Sequence, residues 1–134
     1  MVVREGKTTP IVEMFRMIRT NLQFMIGGTK SPVILVTSSV GGEGKSFTAI
    51  NLASSFALFN KKVVLIGLDI RKPILGDYMH IEKNKGVSLY LSDPNYKLND
   101  IIISSGIHSS LKVIPAGPVP PNPAELLMSN RLEE

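Results

Sequence analysis

The sequence VILVTSSVGGEGKSFTAINLA, residues 33–53, carries the strongest indication of the fold. Its first four residues, 33–36, are a short apolar run, which predicts a strand of a parallel sheet buried on both faces. A glycine-rich loop follows at residues 38–46, and a helical pattern extends from residue 45 to about residue 59. Three small or apolar side chains share one face of this helix: Ile50, Ala53 and Ala57. Strand, glycine-rich loop and helix in this order are the setting of a phosphate-binding loop.

The residues of the loop fit that chemistry. A backbone that wraps around a polyphosphate must point successive N–H groups inward, and Gly41, Gly42 and Gly44 have no Cβ to obstruct it. The N–H groups and dipole of the following helix add to the anion site. We predict that Lys45 reaches the β- and γ-phosphates and that the Ser46 hydroxyl binds Mg²⁺.

One position departs from the pattern G-x-x-x-x-G-K-[ST], because Ser39 replaces the first glycine. The alternative interpretation of the loop is an ordinary left-handed turn before a helix. The strand and helix on either side favour nucleotide binding over that alternative. The predicted nucleotide-contacting residues of the loop are Gly41, Gly42, Glu43, Gly44, Lys45, Ser46 and Phe47.

The composition limits the class of protein. With 134 residues, 43% of them apolar and 19% charged, the chain can build one globular domain. It has no cysteine and no apolar run near the roughly 20 residues that a membrane helix needs. The net charge of +4 comes from scattered basic residues, so we expect no nucleic-acid groove.

An amphipathic helix is predicted before the loop, beginning after Thr9-Pro10 and ending at Gly27-Gly28. Its apolar face is expected to hold Ile11, Phe15, Ile18, Leu22 and Met25. Residues 1–8 before it are predicted to be a disordered or docking arm. A different, polar face carries Glu13, Arg16 and Arg19, for which spacing alone favours a solvated surface with one ion pair.

A second buried strand is predicted at residues 63–66, leading into Gly67-Leu68-Asp69-Ile70-Arg71. Together with the first strand and the helix it predicts a right-handed βαβ unit. Because ligands bind at the carboxyl ends of such strands, Asp69 and Arg71 are expected near the phosphate loop. Asp69 would hold Mg²⁺, directly or through water, or accept a proton from an attacking hydroxyl. The alternative is that Asp69 is a turn residue and Arg71 a surface cation.

The rest of the chain gives weaker signals. We predict a loop and a short helix within residues 75–91, the helix starting at Gly86, and a third strand at residues 111–114. A further helix is expected to begin with Asn122 as its cap and Pro123 as its first residue. Residues 99–104 fit either a short helix or a sheet edge.

Several stretches together resemble the cytoplasmic domain of bacterial protein-tyrosine kinases of capsular and exopolysaccharide synthesis. This family belongs to the deviant P-loop group that also contains cell-division and partition ATPases. The matching stretches are EMFRMIRTNLQF (13–24), TSSVGGEGKS (37–46), NLA (51–53), LIGLDIRKP (65–73), GVSLYL (86–91) and VIPAGPVPPNPAELL (113–127). They follow the family's order and span nearly the whole chain.

The resemblance implies ATP and Mg²⁺ as ligands, with Lys45 on the phosphates, Ser46 on the metal and Asp69 serving both Mg²⁺ and catalysis. It also implies that Arg71 contributes to nucleotide binding, through the D-x-D-x-R motif. Glu13, Arg16 and Arg19 match the E-x-x-R-x-x-R helix through which family members form rings, so a homo-oligomer through the helix at residues 9–26 is expected. The implied second partner is a membrane polysaccharide co-polymerase segment, on the same or a separate chain, which predicts a cytoplasmic location at the inner face of the membrane.

Three departures from the family pattern limit the expected activity. Gly67 replaces the first acid of D-x-D-x-R, and neither a third nucleotide motif nor a tyrosine-rich tail is present in the sequence. Val40 stands where partition-type ATPases carry a second lysine, which favours the kinase branch. We therefore predict weak nucleotide binding and little kinase activity for this chain by itself.

These observations predict a three-layer α/β P-loop domain with a mainly parallel sheet whose C-terminal part is missing, residues 9–134 being the N-terminal part of the kinase domain. The predicted function is the ATP-binding part of a tyrosine autokinase that regulates polysaccharide synthesis and export. The alternatives are a partition-type ATPase switch and a catalytically weak, nucleotide-dependent assembly module.

Overall fold

The computed structural model describes residues 2–133, which form six α-helices, three short strands and one 3₁₀ turn. In chain order the elements are α1 (Pro10–Ile26), α2 (Lys45–Leu58), β1 (Val63–Ile66), α3 (Leu75–Met79), α4 (Val87–Ser92), α5 (Leu98–Ile101), β2 (Ile103–Ser104), β3 (Leu111–Ile114), α6 (Pro123–Leu127) and a 3₁₀ turn (Asn130–Leu132). Two compact units result. The first holds the described residues up to Val63 together with Ile107–Leu111, and the second holds Val64–Gly106 together with the described residues from Lys112 onward.

The first unit is built on the packing of α1 against α2. Thr9 caps α1 by accepting a hydrogen bond from the Val12 N–H, Pro10 occupies the first helical position, and Gly27 ends the helix, as predicted. In α2 the predicted face is also confirmed, since Ile50, Ala53 and Ala57 are all buried.

The apolar face predicted for α1 is wrong in part. Phe15 is buried and Leu22 is half-buried, but Ile11, Ile18 and Met25 are exposed. The buried side chains of α1 are Val12 and Phe15, because the line of contact with α2 is displaced by one residue from the predicted stripe. Helical spacing gives the period of a buried face, and the partner decides which of two neighbouring stripes it covers.

Residues 2 and 3 of the predicted arm pack against these helices. The Val3 side chain is buried in a cluster with Val12, Phe15 and Leu52. The N–H groups of Val2 and Val3 both donate to the Oδ1 atom of buried Asn51, at 2.8 and 2.9 Å. These contacts correspond to the docking form of the predicted arm, and Met1 lies outside the described residues.

The sheet has three described strands in the order β1-β3-β2. Strands β2 and β3 are antiparallel, with Ile103 opposite Val113. The hydrogen bonds from Val63 N to Ser110 O and from Gly67 N to Ile114 O advance in the same direction along both chains, which makes β1 and β3 parallel. The predicted strands at 63–66 and 111–114 are confirmed, and the described sheet is mixed rather than mainly parallel.

The second unit packs short helices around the end of β3. Its core contains Ile70, Val87, Leu91, Ile101, Ile114, Ala116 and Leu126. The helix starts predicted at Gly86 and at Asn122-Pro123 are confirmed. Both alternatives for residues 99–104 are present in succession, because α5 is followed directly by β2. Arg131 closes this unit by donating to the carbonyl oxygens of Asp93 and Tyr96, at 2.7 and 2.8 Å, and by lying over the Tyr90 ring.

The strand predicted at residues 33–36 is absent from the described structure, and with it the first strand of the predicted βαβ unit. Val33 is 96% exposed and Leu35 is 80% exposed. A buried parallel strand requires ladder partners and cover on both faces, and none of the three described strands pairs with this run.

The other predicted buried strand is only partly covered. In β1 the exposed side chains alternate with half-buried ones, and Val64 and Ile66 are about half exposed. Among the described helices none is both long and apolar enough to cross a membrane.

Candidate nucleotide-binding site

The loop that precedes α2 leaves the start of that helix open to an anion. Gly44 is the N-cap, with a left-handed φ of 86°, and makes no side-chain capping bond. The first helical hydrogen bond runs from Thr48 N to Gly44 O at 2.8 Å. The N–H groups of a helix's first turn have no partner within the helix, so the start of α2 has the geometry of an anion-binding helix end.

The glycines of the loop have the freedom that the sequence predicted for them. Gly42 adopts a left-handed φ of 85°, a conformation that side chains disfavour. Apart from atoms of the adjoining residues, nothing lies within 4 Å of the position of a Cβ on Gly41, Gly42 or Gly44. The space around the loop is therefore open, as an approaching polyphosphate requires.

A cavity of about 340 Å³ lies against this loop. Two predicted site residues, Glu43 and Lys45, line it together with Ser38, Ser39 and Thr48. Lys45 is the first residue of α2, so the helix itself holds the lysine at the cavity. The structure thus brings the predicted phosphate-binding lysine and the loop into one concave site.

The other two predicted loop residues differ in their placement. Ser46 is half-buried in the first turn of α2. The Phe47 ring packs on the Phe15 ring, with centroids 6.1 Å apart, and belongs to the apolar cluster between α1 and α2. The side chain of Phe47 therefore fixes the start of α2 against α1.

Glu43 has a role that the sequence did not predict. Its Oε2 atom accepts hydrogen bonds from the N–H groups of Ser39 and Val40, at 3.0 and 3.3 Å. The Ser38 hydroxyl also donates to the Val40 carbonyl oxygen, at 3.0 Å. The only signal in the sequence is an acidic residue five positions after the start of the glycine-rich loop, and it does not indicate which amides the carboxylate contacts.

Asp69 and Arg71 belong to the second unit, shortly after the carboxyl end of β1. Both are exposed, and Ile70 between them is buried in the core. An Asp69 oxygen accepts a hydrogen bond from the Lys72 N–H at 3.1 Å, so the residue takes part in a turn. Their predicted approach to the phosphate loop stays a prediction.

Gly67, where the family motif has an acid, lies in a packed environment. A Cβ at this position would lie 3.1 Å from Leu75 Cδ2 and 3.3 Å from the Ala116 nitrogen. Both distances are shorter than ordinary van der Waals contact. The local packing of the second unit is therefore adapted to a glycine.

The three predicted oligomerisation residues separate into two environments. Glu13 and Arg16 are exposed and form an ion pair on one side of α1. Arg19 instead donates to the Ser55 carbonyl oxygen at 3.3 Å, and its guanidinium carbon lies 4.3 Å from the centroid of the Phe59 ring. Burial, and secondly the nearby Arg16 charge, lower the pKa of Arg19. It remains protonated at neutral pH because an arginine pKa starts so high.

No group of three or more acidic or histidine side chains suited to a metal occurs in residues 2–133. Magnesium at phosphate sites takes only one or two protein oxygen ligands beside phosphate oxygens and water. A hydroxyl at Ser46, directly after the lysine that lines the cavity, fits that modest requirement. The predicted second ligand, Asp69, has the right donor chemistry.

Comparison with known proteins agrees with this geometry. Residues 34–113 match the CobQ/CobB/MinD/ParA nucleotide binding domain. The chain is 40% identical to tyrosine-protein kinase YwqD of Bacillus subtilis over 122 residues, which cover 91% of this chain and 51% of YwqD. It is likewise 40% identical to tyrosine-protein kinase CpsD of Streptococcus agalactiae over 128 residues, covering 95% of this chain and 53% of CpsD.

A solved structure is also similar. The kinase domain of the Escherichia coli tyrosine kinase ETK superposes with a TM-score of 0.83 at 34% identity, covering 90% of this chain and 47% of that one. The chain spans about half the length of the curated relatives that it matches. The predicted α/β P-loop class and the resemblance to bacterial tyrosine kinases are both confirmed. The chain belongs to the CobQ/CobB/MinD/ParA family of nucleotide-binding domains.

Proposed function

We propose that this chain is the ATP-binding part of a bacterial tyrosine kinase that regulates capsular or exopolysaccharide synthesis. The observation that carries the proposal is Lys45, held at the uncapped start of α2 and lining the loop cavity. The similarity to the tyrosine kinases YwqD and CpsD supports kinase chemistry over other uses of a nucleotide.

Each predicted residue has a part in that chemistry. The backbone N–H groups of the loop and the Lys45 ammonium would bind and orient the phosphates, which is most of what phosphoryl transfer asks of a protein. Ser46 and Asp69 would hold Mg²⁺, which neutralises the charge on the phosphate oxygens when bound. Asp69 would alternatively orient the tyrosine hydroxyl and take its proton. Arg71, which follows the buried Ile70 and lies four residues after Gly67, would contact the nucleotide.

Nucleotide binding is tested by calorimetry with Mg-ATP and Mg-ADP on the wild type and on Lys45→Met. We expect Lys45→Met to lose most of the nucleotide binding, because it removes the positive charge that would interact with the phosphates and leaves α2 intact. The matched control is Lys30→Met, which removes an exposed lysine from the same unit. Equal affinity in the wild type and Lys45→Met would contradict the proposal.

Kinase activity is tested on the parent, by which we mean the whole kinase of which we propose this chain to be part, with and without Lys45→Met. Phosphotyrosine that depends on Lys45 is the expected result. Release of free phosphate with no phosphotyrosine would favour the partition-type ATPase switch. If neither phosphotyrosine nor free phosphate forms, and assembly still depends on Mg-ATP, the result would favour the assembly module. The glycine at position 67, in place of an acid of the family motif, is the reason for keeping this alternative.

We also propose that the parent forms a ring through α1 and acts at the inner face of the cell membrane, beside a polysaccharide co-polymerase segment on the same or a separate chain. The exposed Glu13–Arg16 pair supports the first point. Light scattering of the parent with Arg16→Ala tests it, and unchanged assembly would contradict it. The proposed location is tested by fractionating the cells. A parent found only in the soluble fraction, with none in the membrane fraction, would contradict it.

A further inference from the structure

We propose that Glu43 is an internal competitor of the nucleotide phosphates, whose carboxylate occupies loop amides until a phosphate displaces it. The inference rests on the proposed nucleotide site and concerns its regulation. It starts from the two hydrogen bonds that Glu43 Oε2 accepts from Ser39 N and Val40 N.

These contacts reproduce the chemistry of a bound phosphate oxygen. Loop phosphate sites work by directing successive backbone N–H groups at one anionic oxygen. Here two successive N–H groups already point at one carboxylate oxygen. Hydrogen bonds from neutral N–H groups to an ionised oxygen are roughly twice as strong as those between neutral groups. The Glu43 carboxylate therefore occupies, within the same chain, amides that could bind a phosphate oxygen.

The position of Glu43 allows the carboxylate to leave. Its side chain is exposed, and it lines the same cavity as Lys45. The neighbouring Gly42 and Gly44 have left-handed φ angles and no Cβ, with open space around them. Breaking two hydrogen bonds at this exposed site would free the Ser39 and Val40 amides without disturbing the cluster that packs α1 on α2.

Displacement also carries an electrostatic consequence. A polyphosphate that enters the cavity meets the Glu43 charge at short range, and like charges repel until the carboxylate rotates into solvent. In the wild type, a nucleotide can use the Ser39 and Val40 amides only in the fraction of molecules in which Glu43 has left them. The measured nucleotide affinity is therefore lower than the intrinsic affinity of the loop. Removing the carboxylate should raise affinity for any polyphosphate, with or without a nucleoside.

The test measures binding of Mg-ADP, Mg-ATP and inorganic pyrophosphate by calorimetry. We expect Glu43→Ala to bind all three about tenfold more tightly than the wild type, a change of about 1.4 kcal/mol. Glu43→Gln, which keeps an oxygen acceptor without the charge, should show a smaller gain. The matched control is Glu5→Ala, an exposed acid of the same unit, which should bind as the wild type does.

Amide hydrogen exchange gives a readout that needs no ligand. The Ser39 and Val40 amides should exchange faster in Glu43→Ala than in the wild type, with circular dichroism unchanged. Adding Mg-ADP to the variant should slow them again.

The outcomes separate this inference from the proposed function. Wild-type binding with no gain in Glu43→Ala would overturn the competition while leaving the nucleotide site standing. Absence of binding in the wild type and in every Glu43 variant would overturn the nucleotide site and the competition with it. Binding seen only after Glu43 is replaced would support both.

Discussion

Gly86 and Gly117 bring two backbone segments into direct contact, since a Cβ on Gly86 would lie 2.3 Å from the Gly117 nitrogen. The start of α4 uses this approach to donate hydrogen bonds from Val87 N to Pro115 O and from Ser88 N to Ala116 O, both at 2.9 Å. The Ser88 hydroxyl adds a bond to the Pro118 carbonyl oxygen at 2.7 Å. The stretches GVSLYL and VIPAGPVPP therefore form one structural unit. In it, carbonyl groups of the segment after β3 accept hydrogen bonds from N–H groups at the start of α4 that have no partner within the helix.

Gly86→Ala should unfold the second unit or destabilise the chain by at least about 3 kcal/mol, because the new methyl group overlaps backbone that has no room to move. Urea unfolding followed by circular dichroism measures the change. The control is Gly28→Ala, whose Cβ would meet nothing within 4 Å and whose φ is not left-handed. Similar midpoints for the two variants would show that α4 and the Gly117 segment separate easily.

Arg19 and Arg16 should respond differently to replacement by alanine. Arg19→Ala loses a hydrogen bond to one of the last four carbonyls of α2, a favourable charge at that helix end and the contact with Phe59. We expect a loss of about 1–2 kcal/mol of unfolding free energy. Arg16→Ala removes only an exposed ion pair and should cost about 0.5 kcal/mol or less.

Thermal unfolding of the two arginine variants side by side makes that comparison. Equal losses would mean that Arg19 does not anchor α1 to α2. The result also guides assembly experiments, because a ring lost in Arg19→Ala can reflect a loosened α1, whereas a ring lost in Arg16→Ala reports on the exposed surface.

Gly67→Asp should not restore the missing acid of the family motif. Even an alanine at this position would press on Leu75 and on the Ala116 backbone, so Gly67→Ala is expected to cost about 1–2 kcal/mol. Gly67→Asp should cost more and should leave the Mg²⁺ dependence of ADP binding unchanged. A stable Gly67→Asp variant with tighter Mg-ADP binding, measured by urea unfolding and calorimetry, would refute this expectation.

Asn51→Ala should release residues 2 and 3 from the first unit. The Asn51 side chain is fully buried, accepts from two backbone N–H groups and donates to the Phe47 carbonyl oxygen at 2.8 Å. Its loss leaves the buried Val3 N–H without a partner, at a cost of about 2–3 kcal/mol.

Hydrogen exchange at the Val3 amide reports the release of the arm directly, and urea unfolding gives the cost. As a control, Asn21→Ala replaces an exposed asparagine of α1 with a better helix former and should leave stability equal or slightly higher. A Val3 amide that exchanges equally slowly in the wild type and in Asn51→Ala would count against the role of Asn51.

Local chemistry made the helix ends predictable. Thr9-Pro10, Gly27 and Pro123 mark boundaries that the structure keeps, because capping and proline geometry depend only on nearby residues. The loop glycines were predictable for the same reason, since their φ angles follow from the turn that the chain must make.

Features that depend on distant partners were not predictable. The run at residues 33–36 has the apolar composition of a buried strand, but strand formation also needs a neighbour to complete the ladder. Arg19 looked like a surface cation by spacing, whereas the displaced contact line of α1 puts it on the same side as Phe15 and Leu22. Likewise, no pattern announces that the Glu43 side chain folds back onto Ser39.

Helix α2 carries the residues that connect the loop, the N-terminal residues 2 and 3, and α1 within the first unit. Lys45 stands at one end of it, Asn51 holds the arm near its middle, and Ser55 receives Arg19 ten residues beyond Lys45, about 15 Å along the axis. Because these contacts all lie on one continuous helix, a tilt of α2 at the loop end would also change its contacts with α1 and with residues 2 and 3. By the same contacts, a partner bound to α1 would change the position of Lys45 at the loop cavity.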